Sequence, residues 1–466
     1  MIGAYKKINP DLPQCHKQTL YRTPFAFHLS PFTFRLSPFT FFFNHSPAKP
    51  YFYRSNNPMD QHAAPNPSPA QYRAGAAVFF FISGFGYSTW ASRIPGIQQK
   101  LHLDAGQLGT ALLALPVGLM LTMPFTKWLL TRYSSRAVML FGSLLLCAIL
   151  VLVGFATSYW QLLVLLLFFG SARNLMTLSI NTQGVTVQAL YQKSIMAAFH
   201  GIWSLACFAA AGLSLILVSF NVAPAYQFAI VSIVLAAVSL YFIRDTINQQ
   251  PDPQQTLQEE RTSPWWVRAY ALPDKYLLKF ALICFACMAC ENTMYDWSAV
   301  YFQKQVNPDK TLYTAALVVF LTAVTIGRFF GDRIVNTIGI KKVLKFSGIL
   351  IFCGLAITVA LPYIVTVALG YILVGFGVCC VVPMVFSLAG KSKNMSSSSA
   401  LASISTVGYL GFIIIPPFVG YVAKAASLRL SFGIVTFFGL LIVYLVSKIK
   451  EDSNQDDAAV VTMPDS

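Results

Sequence analysis

The sequence predicts an all-α integral membrane protein with twelve transmembrane helices in two six-helix halves. Three observations carry this prediction. Of 466 residues, 56% are hydrophobic and only 11% are charged, whereas soluble domains carry about a quarter charged residues. Apolar runs of about 20 residues, each enough to cross ~30 Å of hydrocarbon as helix, recur along the chain. They come as six, a polar stretch, and six more.

The first six runs fall near 74–93, 106–126, 137–157, 160–188, 195–219 and 224–243. The second six fall near 276–302, 312–331, 342–361, 363–388, 400–424 and 429–448. Between them lies the linker 244–275, with the hydrophilic run "NQQPDPQQTLQEERTSP". The expected organisation is therefore a half at 74–243 and a half at 276–448, with polar ends at 59–73 and 449–466. Residues 1–58 repeat LSPFTF at a seven-residue spacing, and prolines interrupt every apolar run there. That pattern suits neither a signal peptide nor a span; a disordered or non-native extension is expected, with translation starting at Met59.

Lys and Arg in the connecting segments fix an expected orientation. With both ends cytoplasmic, seventeen lie on the inner side and six on the outer side. The net charge of +16 belongs to this bias, since no basic stripe interleaved with aromatics marks a nucleic-acid surface. Eight of nine cysteines sit in apolar runs, where thiols behave as small apolar residues rather than a disulfide framework. The series Cys284, Cys287, Cys290 lacks the histidines or second pair a metal site needs, so no metal is expected. "AGKS" at 389–392 has Val385 where a phosphate-binding loop needs glycine. With no nucleophile elbow or zinc signature either, neither an enzyme nor a cofactor is expected.

The halves echo each other. "GYSTWASR" (86–93) and "TMYDWSAV" (293–300) place Trp90 and Trp297 alike. Two halves of the same orientation imply a solute site between them at mid-membrane. Polar residues inside the spans mark candidates for it, because a charge at the bilayer centre costs about 2.5–3.5 kcal/mol on insertion scales. At about 100° per residue, Glu291, Tyr295, Asn292 and Asp296 share one side of the seventh span, within about 140°. Arg173, Asn174, Thr177 and Asn181 line an arc of the fourth span in the same way, and His200, Ser204 and Cys207 one of the fifth. Each has a structural alternative. Glu291 and Asp296 would suit an interhelical hydrogen-bonding pair, and Arg173 a structural counter-ion. His200, Trp90 and Trp203 would suit packing. In a hydrated cavity, Glu291 would instead exchange a proton and couple transport to a gradient.

Twelve spans about a central linker resemble the major facilitator superfamily. The loop where that family carries G-x-x-x-D-R-x-G-R-R reads "KWLLTRYSSR", with Arg132 and Arg136 retained but Lys127 and Thr131 at the glycine and aspartate places. "HGIWSL" (200–205), "ENTMYDW" (291–297), "IGRFFGD" (326–332) and "TVGYLGFIIIPPFVGY" (406–421) are similar to the MosC-like, YbjJ-type bacterial inner-membrane proteins. The resemblance implies a secondary transporter that moves a sugar-like, polyol or amine solute by alternating access. A monomer in the bacterial inner membrane is also expected, with proton coupling resting on Glu291 and the cytoplasmic termini on the charge bias. Rivals are an exporter of drugs or metabolites and a non-transporting sensor. Arg328 and Asp332 are expected to serve a gate, as are Arg132 and Arg136. Gly408, Pro416 and Pro417 are expected to let the eleventh span bend.

Overall fold

The computed structural model describes residues 67–191, 195–248, 273–309, 312–389 and 397–449; the side chains of 197, 332 and 397–402 are outside it. The expected extension 1–58, most of the linker and the tail beyond 449 lie outside the described residues.

In the first half, α1 (Pro69–Ser92) is followed by a short α2 (Ile94–Lys100), then α3 (Ala105–Arg132), α4 (Ser135–Phe155), α5 (Tyr159–Gln188), α6 (Met196–Ser219) and α7 (Pro224–Phe242). In the second half come α8 (Leu277–Tyr301) with a π-turn (Phe302–Val306), α9 (Ala315–Ile338), α10 (Ile340–Ala360), α11 (Ile364–Val378), α12 (Val381–Ala389), α13 (Ser397–Ala425) and α14 (Leu428–Ser447). Ten helices among the described residues are long and apolar enough to cross a membrane. With α1 and α9 they make the twelve-helix fold. Polar residues close the starts. Ser68 with Gln71, and Asp104 with Gln107, form reciprocal capping boxes that satisfy the first free N–H groups of α1 and α3. Gly339, at φ 85°, alone joins α9 to α10, a conformation that a Cβ would strain.

Several helices run past their apolar windows. The first begins at Pro69 rather than 74, and α3 reaches Arg132, because backbone hydrogen bonding continues where hydrocarbon ends. The run expected as one span at 363–388 divides into α11 and α12 at Cys379–Cys380. Pro383 explains the break. It has no N–H to give the carbonyl four residues back, at Cys379, and its ring crowds that carbonyl.

Helix pairing shows the repeat more plainly than sequence does. In the first half α1 packs on α6, α3 on α5, and α4 on α5 and α7. In the second half the equivalent partners meet: α8 with α13, α9 with α11, and α10 with α11 and α14. The two most extensive contacts between the halves are α3 with α13 and α6 with α9, and each is the image of the other under the same exchange. Small residues set these distances, since helices in lipid associate by close packing. At the α3–α5 crossing, a methyl on Gly118 would meet the Leu167 carbonyl, and one on Gly170 the Leu115 carbonyl.

The two halves meet tightly on the face away from the chain ends. A methyl on Gly109 would lie 2.7 Å from the Pro416 carbonyl oxygen and 3.0 Å from the Gly420 Cα. Thr110 and Tyr421 share a hydrogen bond of 2.9 Å, and Lys424 pairs with Asp104 at 3.1 Å. The Thr314 hydroxyl donates to the Ser92 carbonyl across the same seam. Large apolar side chains such as Leu121, Phe168, Ile233 and Phe437 stay exposed on the outer helical surface, where lipid covers them.

Two outcomes follow from this packing. Gly170→Leu should lower thermal stability in detergent by about 1–3 kcal/mol through overpacking. Gly212→Ala, with nothing within 4 Å of its added methyl, should not lower it. Asp104→Ala should cost about 1 kcal/mol as a lost cap, whereas Asp104→Asn keeps the cap and loses only the exposed ion pair. The Gln107 backbone N–H, and then Lys424, hold the Asp104 carboxyl below the usual range. Its contribution is therefore complete above about pH 4 and fades as pH drops further through the folded-state value; thermal melts across pH check the sign.

Candidate functional site

Glu291 sits 10 residues before the end of α8 and reaches Arg328 of α9, with Nη2 to Oε1 at 3.1 Å. The glutamate side chain is 13% exposed and the arginine 24%, so the pair lies among helices yet stays accessible. Arg328 donates further. One guanidinium nitrogen bonds the Ser204 hydroxyl on α6, and Nε reaches the Cys379 carbonyl at 3.4 Å. That carbonyl is the one Pro383 leaves without its helical donor. The break in α11–α12 thus supplies an acceptor for a charge inside the membrane. Thr325, one turn before Arg328, donates to the Ser204 carbonyl at 3.4 Å. α6 belongs to the first half, and α8, α9 and α11 to the second, so a single guanidinium ties the halves together.

Aromatic rings extend the site into the first half. The Arg328 guanidinium lies 5.9 Å from the centre of the Trp203 ring. Trp203 is stacked near Tyr87 at 6.4 Å, and the Arg173 guanidinium rests over Tyr87 at 3.7 Å. Cations favour the negative faces of such rings. Tyr295 packs between Tyr87 and Phe320, at 5.4 and 5.7 Å, and its buried hydroxyl has no partner among the described residues. Beside it, Asn292 donates to Asp296 at 3.0 Å within α8, and both are buried. Two carboxyls, two guanidiniums and an uncommitted hydroxyl therefore come together from α5, α8 and α9, beside the Tyr87 ring of α1 and the Trp203 ring of α6. Such a set can exchange a proton and grip a polar solute from both halves.

The structure distributes the sequence candidates unequally. Glu291, Asn292, Tyr295, Asp296, Arg173 and Trp203 gather here. Asn174 is turned to α3, donating to Thr126 at 2.9 Å, and Asn181 donates to the Thr177 carbonyl of its own helix at 2.8 Å. His200 is exposed and meets Phe80 edge-on at 5.5 Å, while its carbonyl accepts from Ser204. Trp90 and Trp297 are fully buried in packing. Among the expected gate residues, Arg328 lies in the cluster, and the Asp332 side chain is outside the described residues. Arg132 rests over Trp128 at 5.0 Å. Gly408 packs against Cys284 and Met288 of α8, and Pro416 and Pro417 lie at the α3–α13 seam.

Three participants escaped sequence reasoning. Tyr87 lies in a quoted stretch, but nothing set its ring apart from the neighbouring Phe and Trp. Cys379 acts through a backbone carbonyl, and only Pro383 signals that this carbonyl is free. Arg93, at the outer end of the first span, reads as an outer-side charge, yet it is 5% exposed and donates to Gln227, which in turn donates to Ser214.

Residues 76–404 match the family profile of the Major Facilitator Superfamily. The chain belongs to that superfamily. An uncharacterized MFS-type transporter of Yersinia pestis is 30% identical over 78% of this MFS chain and 92% of its own length. Membrane protein MosC of Rhizobium meliloti is 25% identical over 81% and 90%, which supports the MosC-like branch. Among solved structures, nucleoside transporter NupG aligns with TM-score 0.63 at 15% identity, covering 82% of this chain and 99% of its own. A bacterial homologue of the lysosomal transporter Spinster, inward-facing and unoccupied, aligns at 0.62 and 12% identity over 82% and 97%. At those identities the likeness is one of fold, and it makes the membrane transporter architecture plain.

The ion pair predicts an order of stabilities. Removing one partner leaves an uncompensated charge, which in buried pairs costs about 3–5 kcal/mol, while replacing both often costs little. Stability should therefore fall in the order wild type, Glu291→Gln with Arg328→Met, then Glu291→Gln alone. Thermal unfolding of the purified protein in detergent measures it.

Proposed function

We propose that this MFS chain is a secondary active transporter that moves a small hydrophilic solute, sugar-like, polyol or amine-bearing, by alternating access coupled to protons. The observation that carries the reading is the Glu291–Arg328–Ser204 chain across the two halves. A charged residue inside a span marks a substrate or proton path, and the Arg328–Ser204 bond links the parts that must move.

The coupling follows from the same contacts. With Glu291 ionised, Arg328 is held by charge-assisted bonds to α8 and by the Ser204 hydroxyl of α6. A proton on Glu291 removes the charge that holds Arg328, so its hold on α6 loosens and the halves can change their angle. Tyr295, Asp296, Asn292 and Arg173 then offer hydrogen-bonding groups to the solute, while Tyr87 and Trp203 give flat faces to a sugar ring or an ammonium. Arg132, Trp128 and the Lys341–Lys345 segment line the face that carries the chain ends, and the positive-inside bias assigns that face to the cytoplasm. Pseudo-equivalent seams, α3–α13 and α6–α9, would open and close in alternation. The tight approach at Gly109, Pro416 and Gly420 supports a cavity closed to the outside and open to the cytoplasm. Membership of bacterial relatives in the branch supports the cytoplasmic membrane of a bacterium as its place.

Reconstituted into liposomes and offered sugars, inositols and amines under an acid-outside gradient, the wild type should accumulate one class of solute. Glu291→Gln should equilibrate that solute without accumulating it. Uptake insensitive to the gradient would remove proton coupling, and no uptake of any class would remove transport.

A further inference from the structure

We infer that a second small-molecule site lies on the sealed face, for a polyhydroxylated solute carrying an acidic group. It rests on a pocket of about 340 Å³ lined by Gln98, Gln99, His102, Leu103, Gln303 and Lys304. That volume lies at the low end of the ~300–1,000 Å³ common for small-molecule sites. Gln98 and Leu103 come from the first half, through α2 and the turn after it. Gln303 and Lys304 come from the π-turn after α8. The pocket therefore spans the seam between the halves, apart from the Glu291 cluster.

Two buried acceptors in it lack partners. Gln98 is 4% exposed, and its Nε2 donates to the Leu103 carbonyl at 3.1 Å. That bond fixes which end of the amide is oxygen, so the remaining Oε1 is an acceptor, and nothing among the described residues donates to it. Gln303 is 9% exposed, and its Oε1 is also buried without a donor. Buried polar atoms are satisfied in the great majority of cases, so two such oxygens in one pocket ask for a ligand with donors. Hydroxyl groups provide them. The turn that carries Gln98 is built to hold: the Leu103 N–H donates back to the Gln98 carbonyl at 3.0 Å, and His102 takes a left-handed φ of 51° between them.

The charge at the rim adds selectivity. Lys304 and His102 are exposed at the mouth. Asp104, the acid that acts on Lys304, is itself paired with Lys424 at 3.1 Å. An ammonium free to meet a carboxylate thus stands beside two acceptors for hydroxyls, which is the pattern of a sugar acid. A ligand there contacts both halves and favours the arrangement in which this face is shut.

Titration calorimetry of the detergent-purified full chain with D-gluconate, and separately with D-glucose, tests the site. Gluconate should bind, and glucose at least tenfold more weakly. Gln303→Leu should abolish gluconate binding. Lys304→Gln, at an exposed position that folding tolerates, should weaken it about tenfold and bring the two ligands level. Glu291→Gln, which shifts the halves toward the opposite arrangement, should weaken it without abolishing it, whereas a ligand held by the transport cluster would be lost altogether. Absence of gluconate binding, equal affinity for glucose in the wild type, or gluconate binding unchanged in Lys304→Gln would overturn the proposal. Loss of binding in Glu291→Gln would overturn it as well, by assigning the ligand to the cluster.

Discussion

A guanidinium inside a membrane persists only where its donors are met, and Arg328 meets them with groups from three other places in the bundle. The glutamate of α8 supplies charge, the serine of α6 a hydroxyl, and the broken α11–α12 a carbonyl. Each partner depends on a local feature. Pro383 frees the Cys379 carbonyl, Thr325 holds the Ser204 carbonyl, and the α6–α9 seam brings the two halves close enough for all of it. Little else in the middle of the protein joins the halves by charge.

The seams work differently. At α3–α13 the halves touch through glycines, prolines and a Thr–Tyr hydrogen bond, with one exposed ion pair at the rim. Such contacts are individually small and can separate without leaving a buried charge. At α6–α9 separation means giving up the Ser204 bond of a guanidinium that Glu291, in its own half, holds in place. A fold with one soft seam and one charged seam gives protonation a point of purchase on the equilibrium between the two arrangements. Distances at the soft seam are set by helix packing alone.

Much of this was legible in the chain. The apolar runs predicted the number of spans, since an apolar run of about 20 residues meets its own backbone hydrogen bonds in lipid only as a helix. The acidic seventh span stood out, because charge in hydrocarbon is costly wherever it falls. What sequence could not supply was pairing. Arg328 lies 37 residues from Glu291, on a different helix, and no spacing rule links them. Arg173 looked the natural partner and instead rests on Tyr87. The four polar residues of α8 also divide: Glu291 turns to α9, Asn292 and Asp296 to each other, and Tyr295 to two rings. An arc of about 140° is wide enough to face several neighbours, so shared periodicity does not mean a shared contact. Arg93 failed for another reason. Its position at the outer end of the apolar window predicted solvent, yet a glutamine in α7 pairs with it inside.

The most direct measurement is the distance between spin labels placed at Arg132 and Arg333, exposed positions on opposite halves of the face that carries the chain ends. The account predicts that Glu291→Gln, by removing the charge that holds Arg328, shifts the population toward shorter distances at that face. An unchanged distance distribution in Glu291→Gln would contradict it.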